Sequence, residues 1–317
     1  TLDPAMLVYL NGRFNTAAAP DENYARELQE LFTLGKENTT NYTEADVRAA
    51  ARVLTGWQVN NSVNTFPSFF TASRHDTNSK QFSSFYNNAV ITGRSGSTAG
   101  DLELTDLLNM IFAKSSEVSR FMARKFYRFF VHYEIDAATQ ANVIEPLAEL
   151  LRNNNWEVKP ALSALFKSQH FYDVLNQGSQ IKSPLDHVLT ICREWDVVFP
   201  NPVTEYADAY GMWNYLMQVS ANMGQNIGDP PSVAGWPAYH QLPQFYEIWI
   251  NSDTLPKRNQ FSDLMIGNGY SRNGKRIIID AVGFTRTLPN PGDPNQLITD
   301  VLDLIYQLPC RRRQGIS

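Results

Sequence analysis

Apolar residues recur three and four places apart along most of this 317-residue chain, and that spacing most constrains its fold. A 3.6-residue period gives one buried stripe per helix, so such a chain must pack helix on helix. After Pro20-Asp21, the residues Tyr24, Leu28, Leu31 and Phe32 form one stripe, with acidic residues at its start and Gly35 as its stop. The next begins at Thr43-Glu44-Ala45-Asp46, a capping box with Asp in place of the usual Glu or Gln. Val47, Ala50, Ala51 and Leu54 follow, and Gly56 closes it. The same reading predicts helices near 101–113, 116–132, 137–152, 158–168, 183–196, 204–221, 253–266 and 294–307. Residues 276–279 read as a short strand.

Residues 57–100 break the pattern. They are rich in Asn, Ser, Thr, Phe and Gly, and Ser68-Phe69-Phe70 and Ala89-Val90-Ile91 suit a small hairpin. The expectation is all-α: a single multi-helical domain over 1–306, a β-hairpin excursion at 57–100, and a tail at 307–317. Gly228 to Pro237 reads as an ordered, turn-rich loop.

Composition narrows the classes. Lys plus Arg number 27 against 32 Asp plus Glu, a net charge of -5, which argues against a general nucleic-acid binder. No apolar run approaches the roughly 20 residues of a membrane span, so no transmembrane segment is expected. Two cysteines exclude a disulfide framework and a zinc ribbon; Cys192 reads as core packing and Cys310 lies in the tail. Thr1-Leu2-Asp3-Pro4 has no signal-peptide pattern and reads as the start of a processed or truncated chain. The nucleophile elbow G-x-S-x-G, the P-loop, G-x-G-x-x-G and H-E-x-x-H are all missing.

The chemistry-bearing candidates are charges in apolar surroundings. Glu27 borders the stripe of Tyr24 and Leu28, where a carboxylate needs a partner or a use. Lys125 falls among Val118, Phe121, Met122, Phe126 and Phe129, and must snorkel, pair or lose its proton; Glu27 is the candidate partner. Arg120, Arg124 and Arg128 run at four-residue spacing, either as a solvated face or as a cradle for an anion. Arg74-His75-Asp76, with Lys80 close behind, could be loop-fixing hydrogen bonds or a general base oriented by a carboxylate. The five histidines show no metal-ligand spacing, so no metal and no cofactor is named. Trp236 lies in the turn-rich loop, and His240, Trp249 and Asn251 follow it. They read as the plug of a helical core or as a surface for stacking on a sugar.

Together these segments resemble one family. Asp21-Glu22-Asn23-Tyr24-Ala25-Arg26-Glu27-Leu28, then Glu30-Leu31-Phe32-Thr33-Leu34-Gly35, opens the signature. Thr43 to Val47, Ala51 to Trp57, His75-Asp76, Arg124 to Tyr127, Lys182 to Leu185, Gly224-Gln225, Pro230 to Pro237 and Leu255 to Arg258 continue it in order. The series resembles the bacterial proteins grouped as domain of unknown function 1800, over residues 1 to about 306. The resemblance implies an exported protein of the periplasm, cell surface or exterior. It also implies a neighbouring sulfatase-related family as a source of partners, and an N-terminal portion that this chain lacks. Where many relatives carry His two places after the second Glu, this chain has Phe32, so a metal site of Glu27, Glu30 and that His would be incomplete.

Two functions follow as expectations. One is an envelope hydrolase on a polymer or anionic substrate, with Glu27 as acid or base and His75 as a base held by Asp76. Lys125 and Arg124 would then stabilise charge, and Arg74, Trp236 and His240 would contact the ligand. The other is a non-catalytic scaffold or partner protein in which the same residues are buried and mutually paired.

Overall fold

The computed structural model describes residues 2–36, 42–232, 235–236 and 247–306. Helix dominates, as the periodicity predicts, and the described strands form three two-stranded antiparallel ribbons. The helices gather into two compact units, residues 1–171 and 172–317, each with its own core, where the sequence reads as one domain over 1–306.

The first unit opens with α1 (Pro4–Tyr9), whose amides Ala5 and Met6 are capped by Asp3, followed by α2 (Asn23–Glu30) and α3 (Glu44–Val53). The capping box of α3 forms in full. Thr43 N–H donates to Asp46 at 2.7 Å, and Asp46 N–H donates back to the Thr43 hydroxyl at 3.4 Å. Gly56 then takes a φ of +96°, the left-handed turn that glycine favours, and starts the excursion. Here β1 (Trp57–Val59) pairs with β2 (Ser68–Phe70), and β3 (Lys80–Gln81) pairs with β4 (Val90–Ile91). The single predicted hairpin is thus two ribbons. Asp46 also accepts from the Ser83 N–H and hydroxyl, each at 2.7 Å, so one carboxylate caps α3 and anchors the excursion to it.

Helices α4 (Ala99–Phe112) and α5 (Ser115–Phe130) follow, and a short α6 (Ala137–Thr139) runs through a π turn at Gln140–Ile144 into α7 (Glu145–Asn153). Pro146 lies two places past the π turn. Its ring has no N–H to donate and crowds the carbonyl of Asn142, which a widened turn relieves. α8 (Val158–Lys167) completes the unit and packs on α7, which packs on α5. The apolar faces of α1 to α5 form one cluster, and Tyr127, Ile144, Leu151 and Leu165 centre a second.

The second unit contains α9 (Pro184–Glu194), α10 (Tyr206–Asn222) and α11 (Thr254–Ile266) around Val188, Met212, Phe261 and Met265. Strands β5 (Tyr270–Arg272) and β6 (Lys275–Ile277) form its ribbon, covering part of the strand expected at 276–279. α12 (Ala281–Thr285) and α13 (Pro294–Ile305) end the described chain. Cys192 packs in this core, and burial raises its thiol to about 11. No helix among the described residues is long and apolar enough to cross a membrane.

Candidate functional site

The densest cluster of buried charge lies where the excursion meets α3 and α4. Glu103 is its centre. It sits on the face of α4 that carries Leu104, Leu107 and Ile111, and like them it is buried. Lys80 of β3 donates to Glu103 Oε2 at 2.5 Å and also to the carbonyl of Asp76. The Arg94 N–H donates to Glu103 Oε1 at 2.7 Å, and His75 Nε2 lies 3.2 Å from the same oxygen. That last contact is close enough for an ion pair, although its alignment falls short of a hydrogen bond. The side chains of Lys80 and Glu103 are 0% exposed and that of His75 is 1% exposed, so solvent is shut out.

The other ring nitrogen of His75 lies 2.9 Å from the Thr55 carbonyl and 3.1 Å from its hydroxyl. A carbonyl only accepts, so Nδ1 carries a proton and donates to it. The Thr55 hydroxyl donates to the Arg52 carbonyl at 2.8 Å and accepts from the Asp76 N–H at 2.9 Å. The end of α3 thereby holds both residues of the His-Asp pair.

Asp76 faces away from His75. Its carboxylate takes the Arg52 guanidinium at 2.6 Å, and the Asn78 backbone N–H and side-chain amide at 2.8 and 3.0 Å. The carboxylate beside His75 is therefore Glu103, and the expected His75 base held by Asp76 is not the arrangement found. Burial pushes the Asp76 pKa up, but Arg52 and Asn78 outweigh it and bring it to about 2. For Glu103, burial likewise pushes up, and His75, Lys80 and the Arg94 N–H pull the net value below the ordinary carboxylate range.

Glu27 and Lys125 do not join this cluster, nor do they pair with each other. Lys125 donates to the carbonyl of Leu31 at 2.8 Å, just past α2, where a cation meets the negative end of the helix dipole. Its ammonium also lies 5.3 Å from the centre of the Phe121 ring, and burial of that group lowers its pKa. Glu27 is 6% exposed, and its Oε2 has no hydrogen-bond partner among the described residues. Burial, then repulsion from Glu30, raises its pKa.

The arginines expected at a ligand are engaged within the fold. Arg124 donates to Gln140 at 2.9 Å and Arg120 to Glu145 at 2.8 Å, so both side chains reach the helical stretch after α6. Arg74 reaches the carbonyl of Arg13 at 3.5 Å, and its own carbonyl accepts from Ala17 N–H at 2.8 Å. Trp236 lies 6.1 Å ring to ring from the buried Trp249, and His240 falls outside the described residues. Among the described residues, no three His, Cys, Asp or Glu side chains gather as metal ligands.

Sequence reasoning passed over Glu103, although a signal existed. On a helical wheel it lies about 40° from Leu107, inside the apolar stripe of α4, the same anomaly that marks Glu27. Thr55 and Arg52 carry no such mark, because only the turn after α3 brings them to His75 and Asp76.

A search of curated proteins and a search of solved structures each find no match. The family model described as "Protein of unknown function (DUF1800)" matches residues 1–315, nearly the whole chain. The chain belongs to the DUF1800 family.

Proposed function

We propose that this protein works by binding, as a scaffold or partner protein, and that His75, Lys80 and Glu103 serve its folding. The observation that carries this reading is enclosure. A general base must come within hydrogen-bond reach of its substrate. The three side chains here are at most 1% exposed and spend their polar atoms on one another and on local backbone. The family resemblance adds a setting, the cell envelope or exterior, and a partner drawn from the neighbouring sulfatase-related family.

The test combines His75→Gln and Glu103→Gln with thermal melting and capture of the purified sulfatase-related neighbour. Both variants should melt earlier, and each should lose capture only as far as it unfolds. The reading fails if the wild type hydrolyses a sulfated or phosphorylated polymer and His75→Gln abolishes that activity without lowering the melting temperature.

One observation favours the hydrolase as a second reading: the buried Glu27 carboxylate, with a raised pKa and an oxygen without a hydrogen-bond partner among the described residues, has the environment of a general acid. In that case Glu27→Gln would abolish polymer hydrolysis while leaving the melting temperature unchanged or higher.

A further inference from the structure

The second unit contains a cavity of about 640 Å³, within the size range of small-molecule sites. Its first wall is one face of α9. His187, Thr190, Ile191, Glu194 and Trp195 stand at i, i+3, i+4, i+7 and i+8, while Val188 and Cys192 turn to the core. Opposite stand Ser262 and Ile266 of α11, with Ile279, Phe284 of α12, and Leu304, Ile305 and Tyr306 at the end of α13.

This lining is unsatisfied as it stands. Ile266 is 55% exposed, Leu304 62% and Ile305 52%, so aliphatic groups that line a concave site face solvent. α13 buries none of its own residues, although it carries an apolar face. Covering such surface is favourable by about 25 cal/mol per Å². The two ends of the cavity also differ. At the start of α9 lie Lys182 and His187, and the guanidinium of Arg258 donates to the Lys182 carbonyl at 2.6 Å behind them. Burial, then the Arg258 and Lys182 charges, lower the His187 pKa and favour its neutral ring, so the positive charge at that end is that of Lys182 with Arg258 behind it. Asp186 of the same turn is not among the lining residues. About 12 Å along the helix, Trp195 packs edge-on against Phe284 at 4.3 Å, and Glu194 stands beside them.

We infer that this cavity is a binding site for a small amphipathic carboxylate, its anionic head at Lys182 and its alkyl or aryl body between Ile191, Ile266, Leu304 and Ile305. The site is independent of the reading given to His75 and Glu103. Charge complementarity selects the anion, since the Lys182 ammonium stands at one end and the only carboxylate among the described lining residues, Glu194, at the other.

Isothermal titration of the whole chain with decanoate, and with decyltrimethylammonium as the cation of equal chain length, tests this. Decanoate should bind one per chain and the cation more weakly. Lys182→Glu should weaken decanoate by about fivefold, the scale of one exposed charge contact reversed. Ile266→Trp, which fills the cavity from an exposed position, should abolish binding at an unchanged melting temperature. Ser262→Trp serves if that variant melts early. The inference is overturned if decanoate gives no saturable heat up to about 1 mM. It is equally overturned if the filled variants bind as well as wild type, or if the cation binds as tightly. Sedimentation supplies a further arm. Self-association that Ile266→Trp disperses and decanoate does not compete with would assign this face to a second copy of the chain and overturn the inference.

Discussion

At the scale of single residues, the charges in apolar surroundings have opposite consequences. Lys80 and Glu103 are fully buried and paired, so removing one leaves the other buried without its counter-charge. Glu103→Gln should destabilise the first unit by about 3–5 kcal/mol in chemical denaturation, and the double variant Lys80→Met/Glu103→Leu should recover much of the loss. An additive double variant would refute the coupling. Glu27 behaves in reverse. Its folded pKa is raised, so its favourable contribution is complete below the ordinary carboxylate pKa and lost as pH rises through the folded value. Glu27→Gln should therefore raise the melting temperature at pH 7 and leave it nearly unchanged at about pH 4. For Asp76 and Glu103 the folded values are lowered. Their contribution is present above the ordinary pKa near 4 and is lost as pH falls through the folded values, toward about 2 for Asp76. Acid melts of Asp76→Asn should consequently converge with wild type below that window and diverge above it.

Among the elements, the excursion is the one held by specific devices. Asp46 grips Ser83, Thr55 grips His75 and Asp76, and Glu103 grips Lys80, so α3 and α4 fix both ribbons through polar contacts. The apolar counterpart is Phe70, whose ring lies 5.3 Å from Trp57 and 5.2 Å from His75. It also rests on Gly100 of α4, where a Cβ would stand 2.5 Å from the ring. Alanine usually stabilises a helix by about 1 kcal/mol over glycine. Here the clash with an aromatic ring outweighs that gain, because overpacking costs about 1–3 kcal/mol. Gly100→Ala should lower stability, and amide exchange should quicken first in β1 and β2. A stabilised variant would show that Phe70 yields freely. Part of this element was legible. The capping box at Thr43 and Asp46 and the turn at Gly56 were read from residue type and spacing alone, because both are local. The split into two ribbons and the grip of Ser83 on Asp46 join residues 37 apart, beyond any local pattern.

For the whole molecule, each compact unit has its own core, and the stretch after Phe171 carries one short helical turn, Val174–Asn176, with Val174 61% and Leu175 80% exposed. Calorimetry should resolve two transitions, with Glu103→Gln shifting only one of them, and brief chymotrypsin digestion should cut first near Leu175. A single transition shifted as a whole would refute that division.

What the sequence by itself determined is the helical class, the positions of most helices, the family and the suspicion attached to Glu27, His75, Asp76 and Lys125. These are properties of neighbours within a turn or two, set by the period of burial and by capping chemistry. Tertiary structure alone decided which charges meet. Glu103 rather than Asp76 stands beside His75, Lys125 caps α2 instead of pairing with Glu27, and a cavity opens along α9. The physical reason is that an ion pair depends on which helix faces are brought within about 4 Å, and that distance is fixed by packing between segments far apart in the chain.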